Sequence, residues 1–383
     1  MKVVHVITGL KMGGAEVMLL RLLKQLRSHD YDPYVVGLTE PGPVSDEIVG
    51  LGVPLEALSA KRGAPGPATV YSVARILRRV RPDVVQTWMY HSDLIGGLAA
   101  RAAGNPPVAW GLHHSNLSPA FNKRSTLVTA RTCARLSRVL PAAIVCCAES
   151  TRRLHAEFGY DEDKLLVIPN GFDLDTFRPD PVARADVRRE LGLPNETRLI
   201  GLIARFHPQK DHETFIRAAG IVRAQRDDTH FVLCGDFLDW NNAELVGWIE
   251  RAGVRDRCHL LGRRSDVGRI QASFDVAALS SQGGEAMPLT IGEAMACGVP
   301  CAVTDVGDAA RLVGDTGRVA PPRDPQALAA ACLELLSLPA DASARLGAAA
   351  RRRIAERYSL PVVADRYWEL HEHLALGIIP CAA

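Results

Sequence analysis

The chain lacks a long apolar run, a paired-cysteine motif and an excess of either charge. None of its hydrophobic stretches reaches the ~18 residues of a membrane-spanning helix, so no spanning segment is expected. Nine cysteines are present, at 133, 146, 147, 234, 258, 297, 301, 332 and 381, and no two form a CxxC pair. A zinc site or disulfide framework is therefore not expected, and a reducing cytoplasm is the default compartment. The opening MKVVHVITGL has one lysine and no small-residue cleavage site, so it reads as a first strand. What is present is 383 residues, 47% hydrophobic and 23% charged, which excludes wholesale disorder. A single core stops growing near ~250–300 residues, so two domains are expected.

Charge balances overall but not locally. Residues 1–170 hold 20 Lys+Arg against 14 Asp+Glu, whereas 171–383 hold 25 against 29. Between Asp93 and Glu149 there is no acidic residue, while Arg101, Lys123, Arg124, Arg131, Arg135 and Arg138 are all present. This half is suited to an anionic partner. Nucleic acid is not expected, because the basic stretch 121–140 has Phe121 as its lone aromatic and shows no recognised module.

Short β-branched runs alternate with longer helical stretches. Strands are predicted at Val3–Thr8, Tyr34–Leu38, Val84–Thr87, Val108–Leu112, Ala143–Cys147 and Leu165–Ile168. A second set falls at Arg198–Ile203, His230–Cys234, His259–Leu261, Val276–Leu279, Pro300–Val303 and Gly317–Val319. Helices at 14–28, 68–80, 91–103, 211–224, 324–337 and 340–357 lie between them. Such alternation implies parallel sheets covered on both faces, here two doubly wound, Rossmann-like α/β domains. The Pro169-Asn170-Gly171 turn and Arg178-Pro179-Asp180-Pro181 break the pattern, giving domains at 1–175 and 176–359. A last helix at 360–376 carries Val363, Tyr367, Leu370 and Leu374 on one face. The Gly/Pro-rich segment Ser59–Thr69 reads as a loop.

Three motifs carry chemistry. Gly9-Leu10-Lys11-Met12-Gly13-Gly14-Ala15-Glu16 follows the first strand and opens a helix. Its glycines allow close backbone approach, and helix-start N–H groups favour an anion. The same glycines also suit a plain strand-to-helix turn. It is not the GxGxxG pattern of an ordinary NAD site. In the second motif, Ala204 to His212, Arg205 and Lys210 are suited to converge on one phosphate pair, a planar fork beside a compact charge, and equally suit a loop that solvates a domain cleft. The third, Gly284 to Gly298, holds Glu285 and Glu293 with seven residues between them. Pro288 suits the first helical position, which puts Glu285 in the loop and Glu293 inside the helix. Around Met287, Pro288, Leu289 and Thr290 the backbone N–H groups, which Pro288 itself lacks, then point from the helix start toward an anion. Glu293 is suited to a vicinal diol, and Glu285 to another polyol near the reacting carbon.

Taken together and in this order, these elements resemble the retaining GT-B glycosyltransferases of family 4 (glycosyl transferases group 1). The resemblance rests on the GlyGlyAlaGlu loop, the Pro169-Asn170-Gly171-Phe172-Asp173 turn, the Arg205…Lys210 pair and Glu285-x7-Glu293 with its EAMACGVP continuation. It covers nearly the whole chain. It implies two facing Rossmann-like domains with the active site in a deep cleft between them. The first would bind the acceptor and receive the returning last helix, and the second would bind the nucleotide sugar. It also implies roles. Arg205 and Lys210 would hold the donor diphosphate, Glu293 the ribose hydroxyls and Glu285 the donor sugar. Gly13 and Gly14 would lie near the diphosphate, and Gly262 with Arg263 near the base. His114 matches a histidine that relatives place beside donor sugar and acceptor, and the doubled histidine leaves His113 open for that role. Met287 and Leu289 depart from the GlyGluAlaPheProAsn of many relatives, which bears on sugar preference.

The resemblance implies a hexosyltransferase with no cofactor and no metal, using a nucleotide-diphosphate sugar, UDP- or GDP-linked. The acceptor would be a glycan or a polyprenyl-phosphate-linked precursor in cell-envelope or extracellular polysaccharide synthesis. Asp173-Leu174-Asp175 and Asp161-Glu162-Asp163 look like metal-binding DxD motifs but read as structural. Two other readings are a nucleotide-sugar epimerase on the same fold and a non-catalytic sugar-nucleotide-binding protein. The segment 121–140 reads as an amphipathic helix, with Leu127, Ala134 and Leu136 inward and its cations outward. That face suits either plain solvent or anionic lipid on the inner side of the plasma membrane.

Overall fold

A computed structural model describes residues 1–11, 13–60, 66–119 and 121–378. The centre of the loop expected at Ser59–Thr69, residue Met12 of the first glycine motif and Cys381 lie outside the described residues. The chain divides into two compact units. One is Met1–Gly171 together with the segment from Leu360 onward, and the other is Phe172–Ser359.

The first unit has seven strands: β1 (Lys2–Ile7), β2 (Asp32–Gly37), β3 (Leu55–Ala57), β4 (Val84–Trp88), β5 (Val108–Leu112), β6 (Ala143–Cys146) and β7 (Leu165–Val167). Their order in the sheet is β3-β2-β1-β4-β5-β6-β7, all parallel. Side chains alternate along β1. Val3 and Ile7 pack under helices Gly14–Gln25 and Leu360–Ala375, while Val4 and Val6 face the core shared with helices Pro67–Val80, Tyr90–Ala102 and Arg124–Leu136. The sheet is thus covered on both faces, as parallel sheets are. Strand β3 was not foreseen. It has three residues, all half-buried, at the sheet edge, too short for a period-2 pattern to register.

The last helix buries Val363, Tyr367, Leu370 and Leu374 in the first unit's core, the face read from the sequence. Polar contacts fix it as well. His371 Nε2 lies 3.1 Å from Gln86 Oε1 on β4, and its ring stacks at 9° on Tyr31. Tyr31 shares a 2.6 Å hydrogen bond with His5 Nε2, and Trp88 Nε1–H donates to His5 Nδ1 at 3.2 Å.

The second unit has six strands: β8 (Arg198–Ile203), β9 (Thr229–Cys234), β10 (Cys258–Leu260), β11 (Val276–Leu279), β12 (Cys301–Thr304) and β13 (Gly317–Ala320). Their order is β10-β9-β8-β11-β12-β13, again parallel. Helices His212–Gln225 and Pro325–Leu336 bring Phe215, Ile216, Val222, Leu328 and Leu335 onto Ile200, Phe231 and Val276. Asp275 accepts from three arginines: Arg184 (2.7 Å) and Arg188 (2.9 Å) of the helix Pro181–Glu190, and Arg198 (3.1 Å). Arg188 is fully buried, and burial pulls its guanidinium down to about 10. Among the described residues no single helix is long and apolar enough to cross a membrane.

Candidate active site

In the second sheet the chain leaves β8 toward β9 on one side and later fills β11 on the other. Ligands of open α/β sheets bind outside the carboxyl ends of the strands at such a reversal. Two loops meet there, one leaving β8 with Arg205 and Lys210, the other leaving β11 with Glu285. Lys210 Nζ lies 2.5 Å from Glu285 Oε1. The Ser281 hydroxyl donates to the same oxygen at 2.6 Å, and the Ser281 carbonyl is held by Thr304 Oγ1 at 2.7 Å. Ser280 Oγ donates to the Lys210 carbonyl (2.7 Å), and the Gln282 N–H donates to the Gln209 carbonyl (2.9 Å). The two loops are stitched together, and Glu285 is buried with its charge matched.

Glycine is required behind this loop. Gly307 has φ +57°, and a Cβ there would sit 2.0 Å from the Glu285 carbonyl oxygen. Its neighbour Asp308 donates its N–H to the Ala286 carbonyl at 2.8 Å. Ser281 and Gly307 were missed from sequence. Their signal was small polar residues directly after β11 and a glycine three residues past the end of β12.

Arg205 is exposed and makes no hydrogen bond or ion pair among the described residues. The field it shares with Lys210 is visible on nearby histidines. Burial, then the charges of Arg205 and Lys210, hold His207 below its ordinary range. Burial, then Lys210 and His207, pull His212 down to about 3. Only the smaller, coulombic part of these shifts, set by Arg205 and Lys210, favours an anion; the larger part is burial, which disfavours either charge.

The helix Leu289–Ala296 begins beside this loop. Pro288 is its N-cap, with ψ 108°, and not its first helical residue as expected, because its extended ψ keeps it outside the helix. The consequence drawn from it holds: Glu285 is in the loop, and Glu293 is in the helix and buried. Met287 and Pro288 are buried, while Leu289 and Thr290 are half-buried at the helix start, where the first N–H groups have no intrahelical acceptor. Gln271 Nε2 donates to the Thr290 carbonyl at 2.9 Å and steadies that turn. Gly262 and Arg263 follow β10 at the same carboxyl edge. Gly262, at φ +60°, accepts from the Gly235 N–H, and Arg263 is exposed, 3.7 Å from Asp236.

The other expected site residues belong to the first unit. Gly13 is the extended N-cap, and Gly14 the first residue, of the helix after β1. The reversal in this sheet falls between β1 and β4, where Thr8 and Ser92 share a 2.8 Å hydroxyl hydrogen bond. His113 and His114 follow β5 and differ sharply. His113 stacks on Trp88 at 5.1 Å and 22°, its Nε2 buried without a partner, and burial pulls it down to about 4. His114 Nε2 lies 2.8 Å from Asn122 Oδ1. The Asn122 amide donates to the carbonyls of Asn116 and Ser118, so its oxygen accepts and His114 carries the proton on Nε2.

The DxD-like runs have other work. Asp173 accepts from the N–H groups of Asp175 and Thr176 and from the Thr176 hydroxyl, closing a turn. Asp161 lies 3.9 Å from Lys164. The eight described cysteines are buried, and none forms a disulfide among the described residues. On the helix Arg124–Leu136, Leu127, Ala130, Cys133 and Ala134 are buried, and Leu136 is half-buried. Arg124, Val128, Arg131 and Arg135 form an exposed stripe continued by Lys123 and Arg138.

Two family models match this chain. The description "Glycosyl transferases group 1" matches residues 197–338, and "Glycosyltransferase Family 4" matches 12–176. Between them they take in most of the chain and both loops of the site. The chain belongs to the group 1 glycosyltransferases. EpsF of Bacillus subtilis, which bears the name of a glycosyltransferase, is 27% identical over 320 residues, 79% of each chain. The UDP-Gal:alpha-D-GlcNAc-diphosphoundecaprenol alpha-1,3-galactosyltransferase of Escherichia coli is 28% identical over 242 residues, 62% of each chain. Among solved structures, Anabaena HepE in complex with UDP and glucose superposes with a TM-score of 0.83 at 23% identity, covering 97% of this chain and 99% of that one. The fold class read from the sequence, GT-B with two parallel-sheet α/β units, is that of this chain.

Proposed function

We propose that this glycosyltransferase is retaining and metal-independent, and moves a hexose from a UDP- or GDP-linked sugar to a glycan or polyprenyl-phosphate-linked acceptor. The observation that carries the reading is the stitched pair of loops at the second sheet's reversal. Lys210 is already in place on Glu285, four residues before helix Leu289–Ala296 begins, and Arg205, in the same loop after β8, is exposed with no ion pair among the described residues. Breaking the anomeric bond builds negative charge on the departing diphosphate. Fixed cations and helix N–H groups stabilise that charge without reorganising, the work a divalent ion does elsewhere. On this reading Glu285, one hydrogen bond from Lys210, holds a sugar hydroxyl, and Glu293 holds the ribose diol. Gly13, Gly14 and His114 are assigned to the donor and acceptor side contributed by the first unit.

The names of the relatives favour an envelope or extracellular polysaccharide setting, since the Escherichia coli protein is named for a diphosphoundecaprenol-linked acceptor. The stripe Arg124, Val128, Arg131, Arg135 suits a cytoplasmic protein resting on anionic lipid, with Phe121 and Val128 exposed as apolar contacts. Neutralising Arg124, Arg131 and Arg135 is expected to abolish sedimentation with phosphatidylglycerol vesicles. Unchanged sedimentation removes the membrane contact from the account.

The enzymatic test is nucleoside-diphosphate release from UDP-, GDP-, ADP- and dTDP-sugars with EDTA present. The reading expects slow release from one donor, insensitive to EDTA and lost in Arg205→Ala. Release abolished by EDTA contradicts metal independence. An altered sugar nucleotide without net release points to the epimerase.

A further inference from the structure

Residues Gly235 to Leu238 form a tight turn directly after β9, closed by the Leu238 N–H donating to the Gly235 carbonyl at 3.2 Å. Its third residue is Phe237, at φ +63°. That position of a turn calls for glycine, because a Cβ is crowded in left-handed backbone. Here it holds a phenylalanine that is 72% exposed. The ring adds nothing to the core and makes no ring contact among the described residues. Strain of this kind on a non-glycine residue clusters at ligand clamps.

The turn is rigid. Asn242 Nδ2 donates to the Phe237 carbonyl at 2.9 Å, while Asn242 Oδ1 caps the helix Ala243–Arg251 through the Leu245 N–H. It is also fastened to the site on both sides. The Phe206 N–H, one residue past Arg205, donates to the Asp236 carbonyl at 2.8 Å. The Gly262 N–H, one residue before Arg263, donates to the Leu238 carbonyl at 2.9 Å. Since β9 neighbours β8, the ring is anchored one strand spacing, ~4.8 Å, from the strand that presents Arg205. Near it in the chain are Asp236, Asp239 and Trp240, which is 43% exposed with the Arg255 guanidinium 4.7 Å over its ring, and Arg263 lies 3.7 Å from Asp236; charged groups dominate, which suits a flat, polar-edged ring better than a lipid chain.

We propose that Phe237 is the stacking surface for the donor's purine or pyrimidine base. This rests on the nucleotide-sugar reading above. The left-handed turn stands the ring up before the nucleotide arrives, so little order is lost on binding. Stacking on an aromatic face tolerates any base, so Phe237 sets affinity, and polar groups nearby choose among bases.

The test compares wild type, Phe237→Gly, Phe237→Trp and Arg205→Ala by calorimetric titration with UDP, GDP, ADP and dTDP and with inorganic pyrophosphate. Phe237→Gly is expected to weaken the best-bound nucleoside diphosphate at least fivefold, to leave pyrophosphate unchanged, and to unfold at the same or a higher temperature. Phe237→Trp keeps nucleotide affinity, and Arg205→Ala weakens nucleotide and pyrophosphate alike. Wild-type nucleotide affinity in Phe237→Gly overturns the stacking role and leaves the nucleotide reading standing. A wild-type protein that binds none of the four nucleotides overturns that reading, and the stacking role with it.

Discussion

Lys210 and Glu285, 75 positions apart in the chain, meet at 2.5 Å where the loops leaving β8 and β11 converge. The ammonium offsets the charge of a buried carboxylate, and Ser281 takes up the same oxygen. On the proposed reading the pair exchanges partners: an incoming diphosphate draws on the ammonium while the carboxylate turns to a sugar hydroxyl.

Lys210→Ala is therefore expected to lower kcat/KM about 100-fold or more, the usual effect of removing one preorganised donor at a charge-developing site. Lys210→Arg is expected to recover part of it. Steady-state product release on purified, folded protein checks both.

Gly307→Ala acts on the same loop without touching any ligand. The new Cβ meets the Glu285 carbonyl at 2.0 Å in a backbone conformation that disfavours alanine. The loop must shift, and a displacement of about 1 Å can cost 10²-fold in rate. Activity should fall steeply while circular dichroism stays that of the wild type.

Asp275→Ala removes the acceptor of Arg184, Arg188 and Arg198 together and leaves Arg188 charged in the interior. Breaking a buried ion pair from one side costs about 3–5 kcal/mol. Denaturant unfolding of the two proteins should show a loss of that order.

Stability should fall on acidification from about pH 6.5 to pH 4. In the first unit His113 and His155 are pulled down to about 4, His371 to about 3 and His5 well below its ordinary value, each chiefly by burial. These groups are neutral in the fold and take up protons once unfolded, so in that window the unfolded state binds more protons and gains. Asp93, raised to about 7 by burial, acts in the opposite sense, but it is one group against four. Each histidine contributes up to ~1.4 kcal/mol per pH unit. Thermal unfolding followed against pH should show the slope, and His371→Gln should flatten it.

The strands and the last helix were legible because their signals are local: β-branched runs, a 3.6-residue apolar stripe, Pro and Gly at the breaks. The site motifs were legible because each fits within one loop and the following helix turn. What sequence did not reveal is set by long-range contact. The burial of His113 on Trp88, the hold of Gly307 on the Glu285 loop, and His371 on Gln86 join residues from separate elements. Strand β3 hid because it is three half-buried residues at an edge. Phe237 hid because a turn normally announces itself by glycine at the residue with positive φ, and this one carries a phenylalanine there.

The central claim is that the donor diphosphate lies where Arg205, Lys210 and the start of helix Leu289–Ala296 converge. Hydrogen–deuterium exchange with and without the donor identified in the release panel measures this directly. The account predicts protection confined in the second unit to peptides spanning 204–212, 235–238, 262–264 and 284–293, abolished in Arg205→Ala. Protection elsewhere, or none in these peptides at donor concentrations that support turnover, would contradict it.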